Sequence, residues 1–352
     1  MYRLRPLINR LTSRRNSSHE PFLSSADDRV VVGDSSIRHR NPAVIAQTEI
    51  DLITCMRDNV PRDPVMETLL EGEIQSGQTT CYIFRDALVH DGSIFTKRGH
   101  YHIRPRQGRL LPLTSIEKKT NGLLCTNWVI EKYFGHWLHD GLMLELLSHE
   151  LGHEPISFNR KPWIHEPEYR KLAECAVFPI GTTIFDELVI PDDIALNDCW
   201  KDRMDLLRTR MIGPSPVLPN RSVYMMRGQS AVGRTLVNEN TIAEFLSARG
   251  FEILHPEKSS VSEIKRLLSA AQLIVAMEGS AQAHALMFAQ TGIKFLSIQP
   301  ADQFNVIFKP LFDAVGQTWG ACIADGENGN YVMDLDRLAA AIELVMSSEF
   351  KS

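Results

Sequence analysis

His136, His139 and Asp140 have the residue types and spacing of an acid–base centre. On a helix, His136 and Asp140 are four positions apart and share a face, so the carboxylate can fix the imidazole tautomer and raise its basicity. Facing a cleft, such a pair is a general base for a hydroxyl nucleophile. An ion pair on a helix surface meets the same spacing equally well. Gly135 and Gly141 flank the pair, and glycine, costly inside a helix, often marks the close approach of a ligand.

A second group is Arg227, Arg234, Asn238 and Glu239, in a loop between the strand-like SVYMM and the next helical run. At the carboxyl edge of a sheet, two arginines can clamp a diphosphate bidentately and neutralise charge on a leaving group, although loop arginines are more often solvated. The third is Gln272 to Ala289, QLIVAMEGSAQAHALMFA. Its apolar run reads as a strand buried on both faces, Glu278-Gly279-Ser280 as a turn, and the remainder as a helix opening at Ala281. In an open α/β sheet a strand's carboxyl end meeting a helix is a ligand-binding position and favours an anion. A small-residue turn is also what any strand–helix unit needs.

Two further motifs carry less weight. His149-Glu150-Leu151-Gly152-His153 matches the HExxH zinc pattern, in which two histidines on one helix face hold the metal and the glutamate activates water. Pro155 ends the helix just beyond it, Asn159 stands where a third histidine would complete a longer version, and Glu166, Glu168 and Glu174 are unplaced as alternative ligands. Asp334-Leu335-Asp336 has a metal-binding DxD spacing but directly precedes RLAAAIEL, so an N-cap with an acid in the first turn explains it better.

The elements that must position these groups are spread over 352 residues, which suits two domains of roughly 130–190 residues. The chain is 43% hydrophobic and 23% charged, as in soluble globular proteins, and 38 basic against 43 acidic residues give −5, so no basic field points to nucleic acid. Cys55, Cys81, Cys125, Cys175, Cys199 and Cys322 are scattered with no CxxC pair and read as reduced, mostly buried thiols of a cytoplasmic protein. No apolar run approaches the roughly 18 residues of a membrane span. Arg3, Arg5, Arg10, Arg14 and Arg15, with Ser13, Ser17 and Ser18, make residues 1–28 a basic flexible arm. Such an arm admits peripheral attachment to the inner face of a membrane or a targeting role, though a solvated terminus is the expectation.

Residues 30–120 show short β-like runs and no legible function. From Leu123, LLCTNWVI reads as a strand and FGHWLHDGLMLELLSHELG as a helix. Gly213 to Asn220, GPSPVLPN, cannot continue a helix or enter a central strand and marks a domain boundary. This divides the chain into 29–213, an N-terminal α/β domain, and 214–352, a C-terminal Rossmann-like domain. Beyond the boundary, strands Ser222 to Met226, Glu252 to His255, Leu273 to Met277 and Lys294 to Ile298 alternate with helices Glu239 to Arg249, Ser262 to Ala271 and Ala281 to Ala289. That alternation argues for a parallel sheet; no GxGxxG dinucleotide fingerprint appears. A last helix, about Asp336 to Ser348, carries an apolar face.

Taken in order, Phe134-Gly135-His136-Trp137-Leu138 with Asp140, Asn238-Glu239, Gly250-Phe251 and Pro256-Glu257 resemble glycosyltransferase family 61. So do Ser260-Val261-Ser262-Glu263, Ala270-Ala271, the Gly279-Ser280-Ala281 turn and Leu286-Met287-Phe288. The family includes bacterial capsular polysaccharide enzymes and eukaryotic xylosyl- and N-acetylglucosaminyltransferases. The resemblance covers about Asn127 to Pro300 and implies an α/β, GT-B-like fold with two Rossmann-like domains facing a cleft. It also implies hexosyl or pentosyl transfer from a nucleotide-sugar donor to a hydroxyl of a glycan or other acceptor, inverting, with no obligatory metal or other cofactor. His136 and Asp140 would then be catalytic, and Arg227, Arg234, Asn238, Glu239, Glu257, Glu278, Gly279, Ser280 and His284 would bind the donor. Many relatives carry His-Gly-Ala and an asparagine six positions after that histidine; here Glu278 and His284 hold those places. A carboxylate beside a diphosphate is repelled, so Glu278 is expected to accept from ribose or sugar hydroxyls and His284 to act as the cation or donor. A zinc metallopeptidase and a non-catalytic nucleotide- or sugar-binding protein of the same fold are the alternatives.

Overall fold

The computed structural model describes residues 2–12, 19–104, 115–213, 218–228 and 233–348. It divides into two compact units, residues 1–36 with 76–204, and residues 37–75 with 205–352. The helix Asp198–Ile212 carries the chain from one to the other, so the division falls after Met204. The boundary read at Gly213 to Asn220 partly lies outside the described residues.

The first unit is built on an eight-stranded mixed sheet rather than a Rossmann-like one. Its long strand Thr79–His90 pairs antiparallel with Asp28–Gly33, Ser93–Phe95 and Thr183–Asp192. From Thr183–Asp192 outward, Glu117–Leu124, Pro155–Phe158 and Phe178–Ile180 add in parallel. The antiparallel half follows from a tight Asp91-Gly92 turn, both residues at positive φ (47° and 70°), which reverses the chain with the twist a two-residue hairpin needs. The core stacks Phe22 on Phe84, both buried, beside Leu124, Ile156, Phe185 and Leu188.

The N-terminus departs from the flexible arm expected of it. Arg5–Thr12 is a helix whose inward residues are tied to this unit: Arg5 pairs with Asp86 at 3.0 Å, and Asn9 donates to the carbonyls of Gly99 and Thr96 at 2.7 and 3.0 Å. Arg5 is therefore spent inside the fold, while Ser13, Arg14, Arg15, Ser17, Ser18 and the side chain of Arg10 lie outside the described residues.

The second unit carries the parallel alternation read from the sequence. Its strands Arg221–Met225, Glu252–Leu254, Ala271–Met277, Lys294–Pro300 and Thr318–Glu327, numbered one to five, are arranged 2-1-3-4-5 with parallel pairing throughout. Asn330–Val332 adds antiparallel to strand five, and Thr235–Leu236 pairs in parallel with Asn330–Val332 at the edge. Helices Glu239–Ser247, Val261–Leu268 and Gln282–Phe288 make the crossovers, each within three residues of its sequence reading. Strand three is continuously apolar from Leu273 because both of its faces are covered there: Leu273, Ile274, Val275 and Ala276 are all buried. Segment 37–75, silent in the sequence, belongs to this unit. Glu49 in it forms a two-pronged pair with Arg337 at 2.8 and 2.9 Å. Among the described residues, no helix is long and apolar enough to cross a membrane. Cys81, Cys125, Cys175 and Cys322 are buried free thiols, and burial pushes the Cys81 thiol up to about 12.

Candidate active site

In a 2-1-3-4-5 sheet the crossovers leave strand one in opposite directions, opening a crevice at the carboxyl ends of strands one and three. Arg227 follows strand one and Glu278 follows strand three, so both stand at that crevice. Met226 N–H still pairs with the Leu254 carbonyl at 2.8 Å, after which the chain turns away and Arg227 N–H donates to Glu239 Oε1 at 2.6 Å. The Arg227 guanidinium donates to the Glu278 carbonyl. It lies over Gly279, where a Cβ would fall 2.6 Å from Nη1, and Gly279 has φ 149°. Glycine is needed there for both the backbone and the arginine. Gly228, φ 77°, likewise leaves room for Glu257, whose carboxylate a Cβ would meet at 2.6 Å. Burial lowers the Arg227 pKa against the pull of Glu239, and burial raises that of Glu239 against the Arg227 N–H.

Glu278 is the centre of this group and is 3% exposed. Arg234 pairs with its Oε2, Arg57 Nη1 lies 3.4 Å from Oε1, and Asn305 Nδ2 donates to the same oxygen at 3.1 Å. Its carboxylate is therefore held by two arginines and an amide, where ribose or sugar hydroxyls were expected. Arg57 and Asn305 were not read from the sequence. Arg57 is delivered by backbone pairing of two loops: Thr54 N–H to Ala301 O at 2.8 Å, Phe304 N–H to Cys55 O at 3.1 Å and Arg57 N–H to Phe304 O at 3.0 Å. Asn305 follows strand four, and its N–H donates to Gln299 Oε1 at 3.2 Å. A loop after a parallel strand was the available signal for Asn305; Arg57 had none.

The remaining donor-site candidates divide. Ser280 is half-buried in the turn before Gln282–Phe288. His284 is 3% exposed within that helix. Asn238 is occupied structurally, its amide donating to Met333 O at 2.8 Å and accepting from Met333 N–H at 3.1 Å, which anchors the loop that carries Arg234.

The acid–base group lies in the first unit. Asn127 Oδ1 accepts from Val129 and Ile130 N–H at 3.1 and 3.0 Å, so a helix starts at Trp128 and the strand reading of LLCTNWVI fails beyond Leu124. The following helix passes through a π turn at Trp137–Gly141, a local widening often found where side chains are re-aimed for function. Here it sets two imidazoles on one carboxylate. Asp140 Oδ2 is 2.7 Å from His136 Nδ1, and Asp140 Oδ1 is 2.7 Å from His139 Nδ1. Burial pushes the Asp140 carboxyl up, but the charge of His139 and the hydrogen bonds from both histidines outweigh it and hold it well below the usual carboxylate range. His136 keeps 24% of its side chain exposed against 3% for His139. Gly141 serves packing: a Cβ would meet Trp137 at 3.3 Å and Ile130 at 3.4 Å. Asp140 also lines a cavity of about 240 Å³ with Tyr101, Thr126, Trp128 and Asp192. The ligand atoms of His136, His139 and Asp140 lie within 4.8 Å of one another, a spacing that a divalent cation could also use.

The HExxH geometry does not form. The helix Leu142–Glu150 ends before His153, Gly152 has φ 70°, and Glu150 lies 3.4 Å from Arg203, so the two histidines do not share a helix face. Asp334 is an N-cap, accepting from Arg337 N–H at 2.9 Å.

Residues 134–296 match the family model described as Glycosyltransferase 61. The match takes in His136, Asp140, Arg227, Arg234 and Glu278; Arg57 and Asn305 fall outside it. No curated protein matches the chain.

Proposed function

The chain belongs to glycosyltransferase family 61 through residues 134–296, and from that membership we propose that it moves a hexosyl or pentosyl group from a nucleotide-sugar to a hydroxyl of a glycan or other acceptor. The reaction belongs to polysaccharide or glycoconjugate synthesis, inverts the anomeric centre and needs no metal. The observation that carries the reading is the set of arginines, Arg57, Arg227 and Arg234, gathered at the carboxyl edge of strands one and three. That is where a parallel sheet binds an anionic ligand, and three guanidinium groups suit a diphosphate leaving group.

The bond to an ionised Asp140 requires the proton of His136 to sit on Nδ1, which leaves the Nε2 lone pair to act as base. His136 Nε2 takes the proton of the acceptor hydroxyl as its oxygen bonds to the anomeric carbon. The bond from that carbon to the diphosphate oxygen breaks on the opposite face, and the arginines take up the charge released. His139, on the second oxygen of Asp140, fixes the carboxylate's orientation.

Melting the purified protein with UDP, GDP, CMP and dTDP, each with and without a chelator, tests this. A ligand at about 100 times its dissociation constant adds about 2.7 kcal/mol to the folded state. A shift with one nucleotide that survives the chelator is expected and names the donor class. No shift with any of them refutes donor binding, and a shift lost on chelation refutes metal independence.

A further inference from the structure

Resting on the donor-site reading above, we propose that Glu278 is a built-in counter-anion: it occupies an anion seat framed by Arg57, Arg234 and Asn305, and a phosphate of the donor enters by displacing it. Three observations converge. The carboxylate is 3% exposed and both of its oxygens are engaged, Oε2 by Arg234 and Oε1 by Arg57 at 3.4 Å and Asn305 at 3.1 Å. Two guanidinium groups and an amide converging on one anion form a recognition set for any oxyanion, and a phosphate presents more acceptor oxygens than a carboxylate does. Arg227 is bound differently, donating to the Glu278 carbonyl and not its carboxylate, so the backbone beneath the seat is held while the side chain above it can leave.

The consequence is selectivity. With Glu278 in place, the seat is neutralised, and an incoming phosphate gains only the difference between its own contacts and those of the carboxylate. Ligands that offer a single weak anion do not displace it; a polyphosphate bridging Arg57 and Arg234 does. Glu278 is thus a specificity-determining residue that discriminates by the charge of the ligand.

Titration of the full chain with inorganic pyrophosphate tests this, comparing wild type with Glu278→Gln and Glu278→Asp. Glu278→Gln keeps the shape, removes the like charge and is expected to bind pyrophosphate about tenfold tighter or more, since a unit charge a few ångströms from the ligand is worth at least that near a protein surface. Glu278→Asp keeps the charge and is expected to stay within about threefold of wild type, a gap set by the tenfold effect of the charge itself. Should Glu278→Gln fail to fold, Asn305→Asp sets a second carboxylate against the same arginines and is expected to weaken pyrophosphate binding by a similar factor. Wild-type binding with no gain in Glu278→Gln, an equal gain in Glu278→Asp, or no loss in Asn305→Asp each overturns the counter-anion while leaving the donor site standing. No pyrophosphate binding by wild type or Glu278→Gln overturns both.

Discussion

Replacing Asp140 by asparagine is the sharpest test of the acid–base assignment. The carboxylate presents one oxygen to each of two imidazole Nδ1 atoms, both at 2.7 Å. An amide of the same shape has one oxygen and one NH2, so it can accept from one histidine only and must oppose the N–H of the other. A hydrogen bond to a charged acceptor contributes about 1.5–3 kcal/mol and a neutral one about 0.5–1.5 kcal/mol. One bond is lost and the other weakened, so the substitution removes about 2–4 kcal/mol of interaction by that scale. If the His136 tautomer is what the rate depends on, that loss enters the barrier and lowers kcat about 30- to 1000-fold, within the range for losing a general base. The assay is single-turnover sugar transfer with the donor class identified by melting, alongside nucleotide affinity. Affinity is expected to hold, because the proposed donor site is built from Arg57, Arg227 and Arg234 and not from Asp140. An unchanged kcat, or a fall in kcat matched by an equal fall in nucleotide affinity, refutes the role given to the pair.

Three other outcomes follow from the packing and the charges. Gly279→Ala puts a Cβ 2.6 Å from Arg227 Nη1 at a φ of 149°; strain of about 1–3 kcal/mol is expected, seen as a lower Tm and weaker nucleotide binding, and wild-type affinity would show that Arg227 does not need this backbone. Arg337→Ala strips the two-pronged partner from Glu49, whose side chain is 7% exposed; leaving that carboxylate buried without its counter-charge, held by the Ile323 N–H at 2.6 Å, costs about 3–5 kcal/mol, and a loss below about 1 kcal/mol in denaturant titration, the value of a surface pair, would contradict it. The third concerns pH. Asp140 has its carboxyl held below the usual value, so its contribution to stability is complete above about pH 4, the unfolded value, and is lost as pH falls through the lower folded one. The Tm gap between wild type and Asp140→Asn should therefore persist down to about pH 4 and close below it; a gap that widens as the pH falls below about 4 would reverse the sign assigned to Asp140.

What could be read from the chain alone depended on whether local pattern or distant contact decided the outcome. Strand three and its neighbours were legible because a strand covered on both faces must be continuously apolar, and Leu273 to Met277 is. The helix carrying His136 and Asp140 was legible from its periodicity, though not its π turn, which changes the hydrogen-bond register without changing composition. Trp128, Val129 and Ile130 misled because they are strand-favouring types; Asn127, a local cap, overrode them. His153 shows the limit of motif spacing: the HExxH pattern is present, but the helix that must give it meaning ends at Glu150, ahead of the stop that Pro155 already signalled. Arg57 was beyond reach, since its position is set by backbone bonds between residues 54–57 and 301–304.

The charge balance of the second unit's site ties these observations together. Arg57, Arg227 and Arg234 face Glu239, Glu257 and Glu278, and Arg57 also lies 3.5 Å from the exposed carboxylate of Asp58. Arginines that wait for a diphosphate, Arg234 buried and Arg57 and Arg227 half-buried, would repel one another and carry part of the penalty of removing charge from water. The glutamates relieve that penalty: Glu239 accepts the Arg227 N–H, and Glu278 joins Arg57 to Arg234. Each also opposes an anionic ligand, so what stabilises the empty site weakens the filled one, the usual exchange between stability and function. Of the three, Glu257 is exposed and screened by solvent, and Glu239 is fixed by a backbone bond that gives Arg227 its course. Glu278 is the one whose charge is both buried and held by side chains alone at its carboxylate, which makes it the group through which ligand charge and site stability are coupled.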